Sequence, residues 1–353
     1  MQRSLLEILA DPVSKTPLKL NSSNRGGQQE SIVEGTLEGG EGRSYPIRNG
    51  IPRFVLTEDQ GQKQTEGSFG FKWDQTSFYN SAASREVAQQ WLIERYGFES
   101  GDDMLRFFGS RRRILDAGCG GGYSTACWIE PAWRGDGNAE WVGADISTGI
   151  DVAQERFSSI PGTHFVQADI LNLPFREHSF DTIFSEGVLH HTPSTERAFK
   201  SLIPLLAPGG EILFYVYKKK GPIREFTDDY IRDVIADVEP QEAWDMLRPL
   251  TKLGKALSDL QVEVEVPEDI PYLNIKAGRY DVQRLIYWHF AKLFWNDAFS
   301  FEQNNHANFD WYHPRYAFRH TEEEVRGWCK DTGLSIVHFN TQESGFTVRA
   351  IKS

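Results

Sequence analysis

Only three cysteines, Cys119, Cys127 and Cys329, are spread over 353 residues, too few and too scattered for a disulfide framework. Reduced thiols in a reducing compartment are the expectation. The chain lacks any run of about 18 apolar residues, so no membrane-spanning helix is expected. Its first stretch, MQRSLLEILADPVSK, lacks the basic start, apolar middle and small-residue cleavage site of a secretory signal, which leads to an expected cytoplasmic location. Positive charge is also in short supply. Against 50 Asp and Glu stand 38 Lys and Arg, a formal net charge of −12, which repels phosphate backbones over the surface as a whole. Neither duplex nucleic acid nor a membrane is therefore an expected partner, and the oligomeric state is not readable. The two short basic clusters, Arg111 to Arg113 and Lys218 to Lys220, flank apolar runs and read as solvated strand ends.

What is present is ordinary globular material, 39% hydrophobic and 25% charged, in a length that suits about two domains or one decorated large one. Residues 1–57 read as a short helix, Ser4 to Ala10, followed by small strands PLKL, SIVEGTL, RSYPI and IPRFV punctuated by Gly and Pro. The string LLEILADPVSKTPLKL with GTLEGGEGRSYPIRNGIPRFV resembles the small zinc-ribbon family that includes the activator subunit of tRNA and protein methyltransferases. The positions matching its four thiolates are Asp11, Ser14, Glu38 and Glu41. A hard oxygen set suits tetrahedral zinc badly, so a metal-free ribbon packed on the rest of the chain is expected.

Residues 58–110 read as a polar linker, DQGQKQTEGS, then an aromatic string FGFKWDQTSFY, a helix over Arg85 to Tyr96 and a second around Asp103 to Phe108. Phe69, Phe71 and Trp73 suit either an apolar cluster or a flap over a ligand pocket, with Trp73 as a candidate substrate contact. From Arg111 strands alternate with helices through residue 218, which implies a doubly wound α/β domain around a mostly parallel sheet. Residues 219–320 interrupt that rhythm. They hold a helix over Ala243 to Leu260 that Pro249 should kink or start, a second helix around RYDVQRLIYWHFAKLFW, and the string NDAFSFEQNNHANFDWYHPRYAFRHT. Residues 321–353 resume the core with a helix capped by Thr321 and Glu324 and two strands expected to pair antiparallel.

The chemistry concentrates at strand ends. After the first strand of the core comes Asp116-Ala-Gly-Cys-Gly-Gly-Gly122, where glycines let a backbone approach a ligand and Asp116 offers a carboxylate to something cationic. Tyr123 stands where a dinucleotide loop has its third glycine, which disfavours a nicotinamide oxidoreductase. Asp145 ends the next strand, Asp169 follows the third, and FSEGVLHHT follows the fourth, all on the edge where open α/β sheets bind ligands.

The ordered set LDAGCGGG, VGADIS, ADILNLPFREHSFDTI, VLHH and LAPGG resembles the class I S-adenosylmethionine-dependent methyltransferases, in their broad small-molecule subgroup. The resemblance implies a seven-stranded Rossmann-like methyltransferase sheet and S-adenosylmethionine as cofactor. It places the methionine moiety on Asp116, Gly118, Cys119, Gly120 and Gly122, the ribose on Asp145 with Ile146 beside the adenine, and the adenine amino group on Asp169 with Ile170. Glu186 and Gly187 would line the methyl-donor site. Asp169 also suits a plain helix cap.

A hydroxyl acceptor needs a base. His191, beside the sheet edge, and His306 and His313, in the interrupting segment, are the catalytic candidates, while His190 should pack. Asp310, Tyr312, Arg315, Tyr316 and Arg319 are candidate substrate contacts, the arginines for a carboxylate or phosphate on the acceptor. No metal is expected. The expected function is methyl transfer to a small-molecule acceptor such as a sugar, metabolite or natural-product intermediate, at oxygen, under a lid formed by residues 219–320. The alternatives are a methyltransferase acting on tRNA or protein through the ribbon, and a non-catalytic scaffold.

Overall fold

A computed structural model describes residues 1–21, 31–55, 57–74, 82–129 and 139–353. Strands β5 (Arg113–Ala117), β6 (Glu140–Asp145), β7 (Thr163–Gln167), β8 (Phe180–Glu186), β9 (Leu206–Tyr217), β12 (Leu334–Thr341) and β13 (Gly345–Lys352) form one sheet in the order β12-β13-β9-β8-β5-β6-β7. The five strands from β9 to β7 run parallel and β13 runs antiparallel to both β9 and β12. This is the Rossmann-like methyltransferase sheet the motifs imply. Its central strands are apolar on both faces, as in RILDA, buried from Ile114 onward, because helices cover both sides. Among the covering helices are α4 (Gly149–Phe157), α5 (Thr195–Leu202) and α10 (Glu322–Asp331). The expected capping box is present: Thr321 Oγ1 accepts from Glu324 N, and Glu324 accepts from Thr321 N at 2.7 Å.

The N-terminal residues form a four-stranded antiparallel sheet of β1 (Lys19–Asn21), β2 (Gly35–Glu38), β3 (Ser44–Arg48) and β4 (Ile51–Pro52). The first helix is a single 3₁₀ segment, Arg3–Glu7. Asp11, fully buried, ties its two turns together. Its carboxylate accepts from Val13 N at 2.8 Å, Ser14 N at 2.9 Å, Gly40 N at 3.0 Å and Arg43 Nε at 3.1 Å. Burial alone would push this carboxyl up, but the two turn amides and Arg43 hold it below its ordinary range. The other three zinc-ligand positions turn to separate partners: Ser14 to Thr16, Glu38 to Asn21 and Glu41 to Arg43. After β4 the chain pairs with the edge strand of the large sheet. Arg53 bridges Gln167 of β7, Phe54 N donates to Gln167 O, and the Arg53 guanidinium pairs with Asp151 of α4 at 2.6 Å. The small sheet thus covers an edge that would otherwise expose unpaired backbone.

The expected polar linker is instead most of a helix, α1 (Gln60–Asp74). Little amphipathic patterning marks it, since its order comes from tertiary bonds: Gln64 Nε2 donates to the carbonyls of Ala236 and His313, and Thr65 Oγ1 accepts from Tyr316 N. The next two helices, α2 (Ala82–Tyr96) and α3 (Gly101–Gly109), lie near their expected places. The interrupting segment builds α6 (Pro222–Ile235), α7 (Pro240–Asp259), a hairpin of β10 (Glu263–Val266) and β11 (Gly278–Asp281), α8 (Val282–His289) and α9 (Phe301–Tyr312). Pro249 neither starts nor ends α7, which runs through it. The buried face of α7 is Ala243, Trp244, Leu247, Thr251 and Gly254, whereas Leu253 and Leu260 are exposed. The string around His306 forms α9. A capping box of Ser300 and Gln303 starts α9, and buried asparagines fasten it: Asn305 to Trp244 O and Thr251, Asn308 to Phe294 and Thr251. Among the described residues no helix is long and apolar enough to cross a membrane.

Candidate active site

The carboxyl ends of the parallel strands open into one cavity of about 390 Å³, lined on one side by α1 and at its far end by the insert. Strand geometry places the acids. Asp116 is the fourth residue of β5, Asp145 ends β6, Asp169 follows β7 and Glu186 ends β8, and all four line the cavity together with Gly118, Cys119, Ile146, Ile170 and Gly187. Gly118 has φ +86 and its absent Cβ would fall 2.2 Å from Val188, so only glycine fits there. Gly120 donates its N–H to Asp145 Oδ2 at 2.8 Å. Gly122, expected to touch cofactor, instead packs on Phe157 of α4 and does not line the cavity.

Each acid is partly engaged already. Asp145 Oδ1 accepts from Ser147 N and Oγ, Asp169 Oδ1 accepts from Leu171 N as the cap of a 3₁₀ turn, and Thr125 Oγ1 donates to Asp116. The cap and the ligand-facing position of Asp169 therefore coexist. Glu186 is clasped by Arg95 at 2.9 Å and Tyr96 Oη at 2.5 Å, both from α2. Burial pushes the Asp116 carboxyl up to about 7, with Asp145 and Glu186 adding repulsion. Burial also raises Asp145, Asp169 and Glu186.

Sequence reasoning missed Glu66 of α1, which faces the same acids. Burial and the charges of Asp145 and Asp169 push it up to about 7. Its signal was available only once α1 was a helix, because Glu66, Phe69 and Trp73 then share a face toward the cavity. Trp73 packs against the glycine loop: a Cβ on Gly120 would meet its ring at 2.3 Å and one on Gly149 at 2.6 Å.

His191 lines the cavity with its Nδ1 at 2.6 Å from the Tyr316 carbonyl, so Nδ1 carries the proton and Nε2 is left as an acceptor. Burial pulls its pKa down to about 4. His190 packs instead, stacked on Tyr217 at 3.6 Å. His306 and Asp310, one turn apart on α9, also line the cavity. Burial holds the His306 imidazole down at about 3. Burial would raise the Asp310 carboxyl, but Lys72, His191 and Lys292 together hold it far below its usual range. Lys72 Nζ donates to Asp310 Oδ1 at 2.5 Å.

The remaining candidates need correction. His313 has both ring nitrogens occupied, by Ser68 Oγ at 2.9 Å and the Val238 carbonyl at 3.0 Å, and so tethers α1 rather than serving as a base. Tyr312 Oη donates to Asp228 at 2.8 Å in a buried network with Trp311 and Arg224. Arg315 pairs with Asp237, Tyr316 Oη donates to Asp59, and Arg319 is held between Glu225 and Asp229. None of these five lines the cavity; their polar ends are spent joining α1, α6 and α9. The cations that do line it are Lys72, Arg95, Lys220, Arg224 and Lys292. Lys220 is thus not a solvated strand end: burial pulls it down to about 7, and its Nζ donates to the carbonyls of Glu343 and Ser344. Among the described residues no three His, Cys, Asp or Glu side chains are grouped to hold a metal ion.

Residues 115–214 match the family described as "Methyltransferase domain". A phthiotriol/phenolphthiotriol dimycocerosates methyltransferase of Mycobacterium ulcerans is 29% identical over 172 residues, 48% of this chain and 61% of that protein. A probable tRNA methyltransferase 9B of Mus musculus is 39% identical over 80 residues, 22% of this chain and 17% of that protein. The chain thus spans less than two thirds of the length of these curated relatives. Among solved structures, magnesium protoporphyrin IX methyltransferase from Synechocystis PCC 6803 with bound S-adenosylmethionine is similar at 12% identity and a TM-score of 0.43, over 85% of this chain and 100% of that one. With the motif order, the strand order and the family match in agreement, the chain carries a class I S-adenosylmethionine-dependent methyltransferase domain.

Proposed function

We propose that the protein transfers a methyl group from S-adenosylmethionine to an oxygen of a small-molecule acceptor held under the inserted helices. One observation carries this reading: a single cavity joins an acidic end on the sheet to an aromatic, cation-bearing end lined by the insert. The acidic end fits the cofactor. Burial raises the Asp116, Asp145, Asp169 and Glu66 carboxyls, with repulsion from neighbouring acids added at Asp116 and Glu66, and the methionine ammonium and the sulfonium supply positive charge there. Asp116 with Gly118 and Cys119 would hold the methionine moiety, Asp145 and Ile146 the ribose and adenine, and Asp169 and Ile170 the adenine edge.

When bound, S-adenosylmethionine supplies a methyl carbon open to in-line displacement. The chain's own task is to hold the acceptor oxygen roughly 3 Å from that carbon and exclude water. His191 is the candidate base, since its Nε2 is free to accept while Tyr316 O fixes the tautomer. The acceptor hydroxyl passes its proton to Nε2 as the new carbon–oxygen bond forms, and the nearby Asp310 charge favours the resulting imidazolium. The net charge of −12 favours a small acceptor over RNA. Incubation of the full chain with methyl-labelled S-adenosylmethionine and a library of hydroxylated metabolites tests the reading. Label transfer to an ether or ester oxygen, abolished by His191→Ala with cofactor binding retained, is expected; transfer to RNA or protein alone contradicts it.

A further inference from the structure

The cavity is electrically bipolar, and the balance of its far end is incomplete. Four cations gather there, and three are already spent. Lys72 pairs with Asp310, Arg224 pairs with Asp228 at 2.6 Å and donates to the Tyr287 carbonyl, and Lys220 donates to two carbonyls. Lys292, between α8 and α9, is 8% exposed. Its ammonium lies 4.6 Å over the Trp311 ring, and among the described residues no carboxylate or carbonyl accepts a hydrogen bond from it. Burial, with Arg224 and Lys72 adding repulsion, draws its pKa down to about 7 against the pull of Asp310 and Asp228. An ammonium in such a place costs free energy until an anion reaches it. Tyr287, Trp288, Phe294 and Phe299 line the same end and offer flat apolar surface around that charge.

We infer that the acceptor is a flat, aromatic-sized molecule bearing a carboxylate, and that Lys292 receives the carboxylate. This inference rests on the methyltransferase reading of the cavity. A monoanion suits the site better than a phosphate dianion, because one cation is uncommitted and the Asp310 carboxylate lies within its electrostatic reach. The carboxylate recognition expected of Arg315 and Arg319 thus falls to a lysine inside the cavity, those arginines being committed to Asp237, Glu225 and Asp229 outside it.

The test uses the full chain saturated with S-adenosylhomocysteine, and three probes, benzoate, cinnamate and indole-3-acetate, each beside its primary amide. Protection of Lys292 from reductive methylation is read by mass spectrometry, and affinity by calorimetry on wild type and Lys292→Met. At least one carboxylate is expected to protect Lys292 and to bind roughly tenfold or more tighter than its amide, a preference lost in Lys292→Met. S-adenosylhomocysteine binding by the variant reports that it is folded. Failure of all three carboxylates to protect Lys292 at millimolar concentration, equal binding of acid and amide, or discrimination that survives Lys292→Met overturns the inference alone. Loss of S-adenosylhomocysteine binding by wild type overturns it together with the methyltransferase reading.

Discussion

Lys72 Nζ donates to Asp310 Oδ1 at 2.5 Å, with the two side chains 13% and 24% exposed. The pair joins α1, which roofs the glycine loop, to α9, which carries His306 into the acceptor end. The contact thus links the cofactor side to the acceptor side. Lys72→Met and Asp310→Asn are each expected to cost about 1–3 kcal/mol of stability and to raise the acceptor KM more than they lower kcat. The double variant Lys72→Met/Asp310→Asn should lose less than the sum, by about 1 kcal/mol. Strict additivity in denaturant titrations would show that the two groups do not couple.

Asp116 gives cofactor binding a pH dependence of predictable sign. Its carboxyl is raised from 3.8 to about 7 in the free protein, so the folded chain keeps a proton that the unfolded chain releases. Its contribution to the stability of the free protein therefore declines as pH rises from about 4 to about 7. A cationic ligand favours the ionised form, so binding expels the proton and affinity climbs through the same window. Calorimetry with S-adenosylmethionine in buffers of different ionisation enthalpy should register proton release near neutral pH, diminished in Asp116→Asn. Proton uptake on binding would mean that the sign is wrong.

Trp73 and Gly149 make a compensation test. A methyl group on Gly149 would stand 2.6 Å from the Trp73 ring and 3.1 Å from the Gly120 carbonyl carbon, so the ring is the severer of the two contacts. Gly149→Ala is expected to weaken S-adenosylmethionine binding about tenfold, through displacement of α1 from the glycine loop. Trp73→Ala/Gly149→Ala should recover much of that loss. A double variant no better than Gly149→Ala would place the damage in the loop backbone instead.

Much of the site was legible because strand ends are marked by local chemistry: Asp116, Asp145 and Asp169 each follow a short apolar run, and a sheet of this order has one ligand edge. The roof was not legible. Gln60 to Asp74 contains three glycines and no apolar stripe, and its helix exists because Gln64, Thr65 and Ser68 find partners on the insert. The insert misled for a related reason. Polarity around Tyr312, Arg315 and Arg319 looked like substrate chemistry, whereas burial of α6 and α9 against each other required those groups as mutual partners. The Ser300–Gln303 capping box was a visible signal for α9, obscured by the asparagines that follow. Lys292 lay inside an apolar string, and only the fold brings it to the cavity.

The small N-terminal sheet is proposed to stand without metal, on the Asp11 carboxylate. Asp11→Ala would leave the Arg43 guanidinium, the Ser14 and Gly40 amides and the Tyr45 hydroxyl short of their acceptor, at an expected cost of about 3–5 kcal/mol. The depressed carboxyl contributes stability above its ordinary pKa, and that stability is lost as pH falls below about 4. Chelator should leave the melting temperature of wild type unchanged. A drop of several degrees on chelation would reveal a metal site.

The most direct measurement is a calorimetric titration of the full chain with S-adenosylmethionine, wild type beside Asp145→Ala. The expected result is micromolar binding by wild type, weakened roughly thirtyfold or more when the carboxylate at the end of β6 is removed. No binding by wild type, or equal binding by both proteins, would contradict the assignment of the acidic end of the cavity to the cofactor.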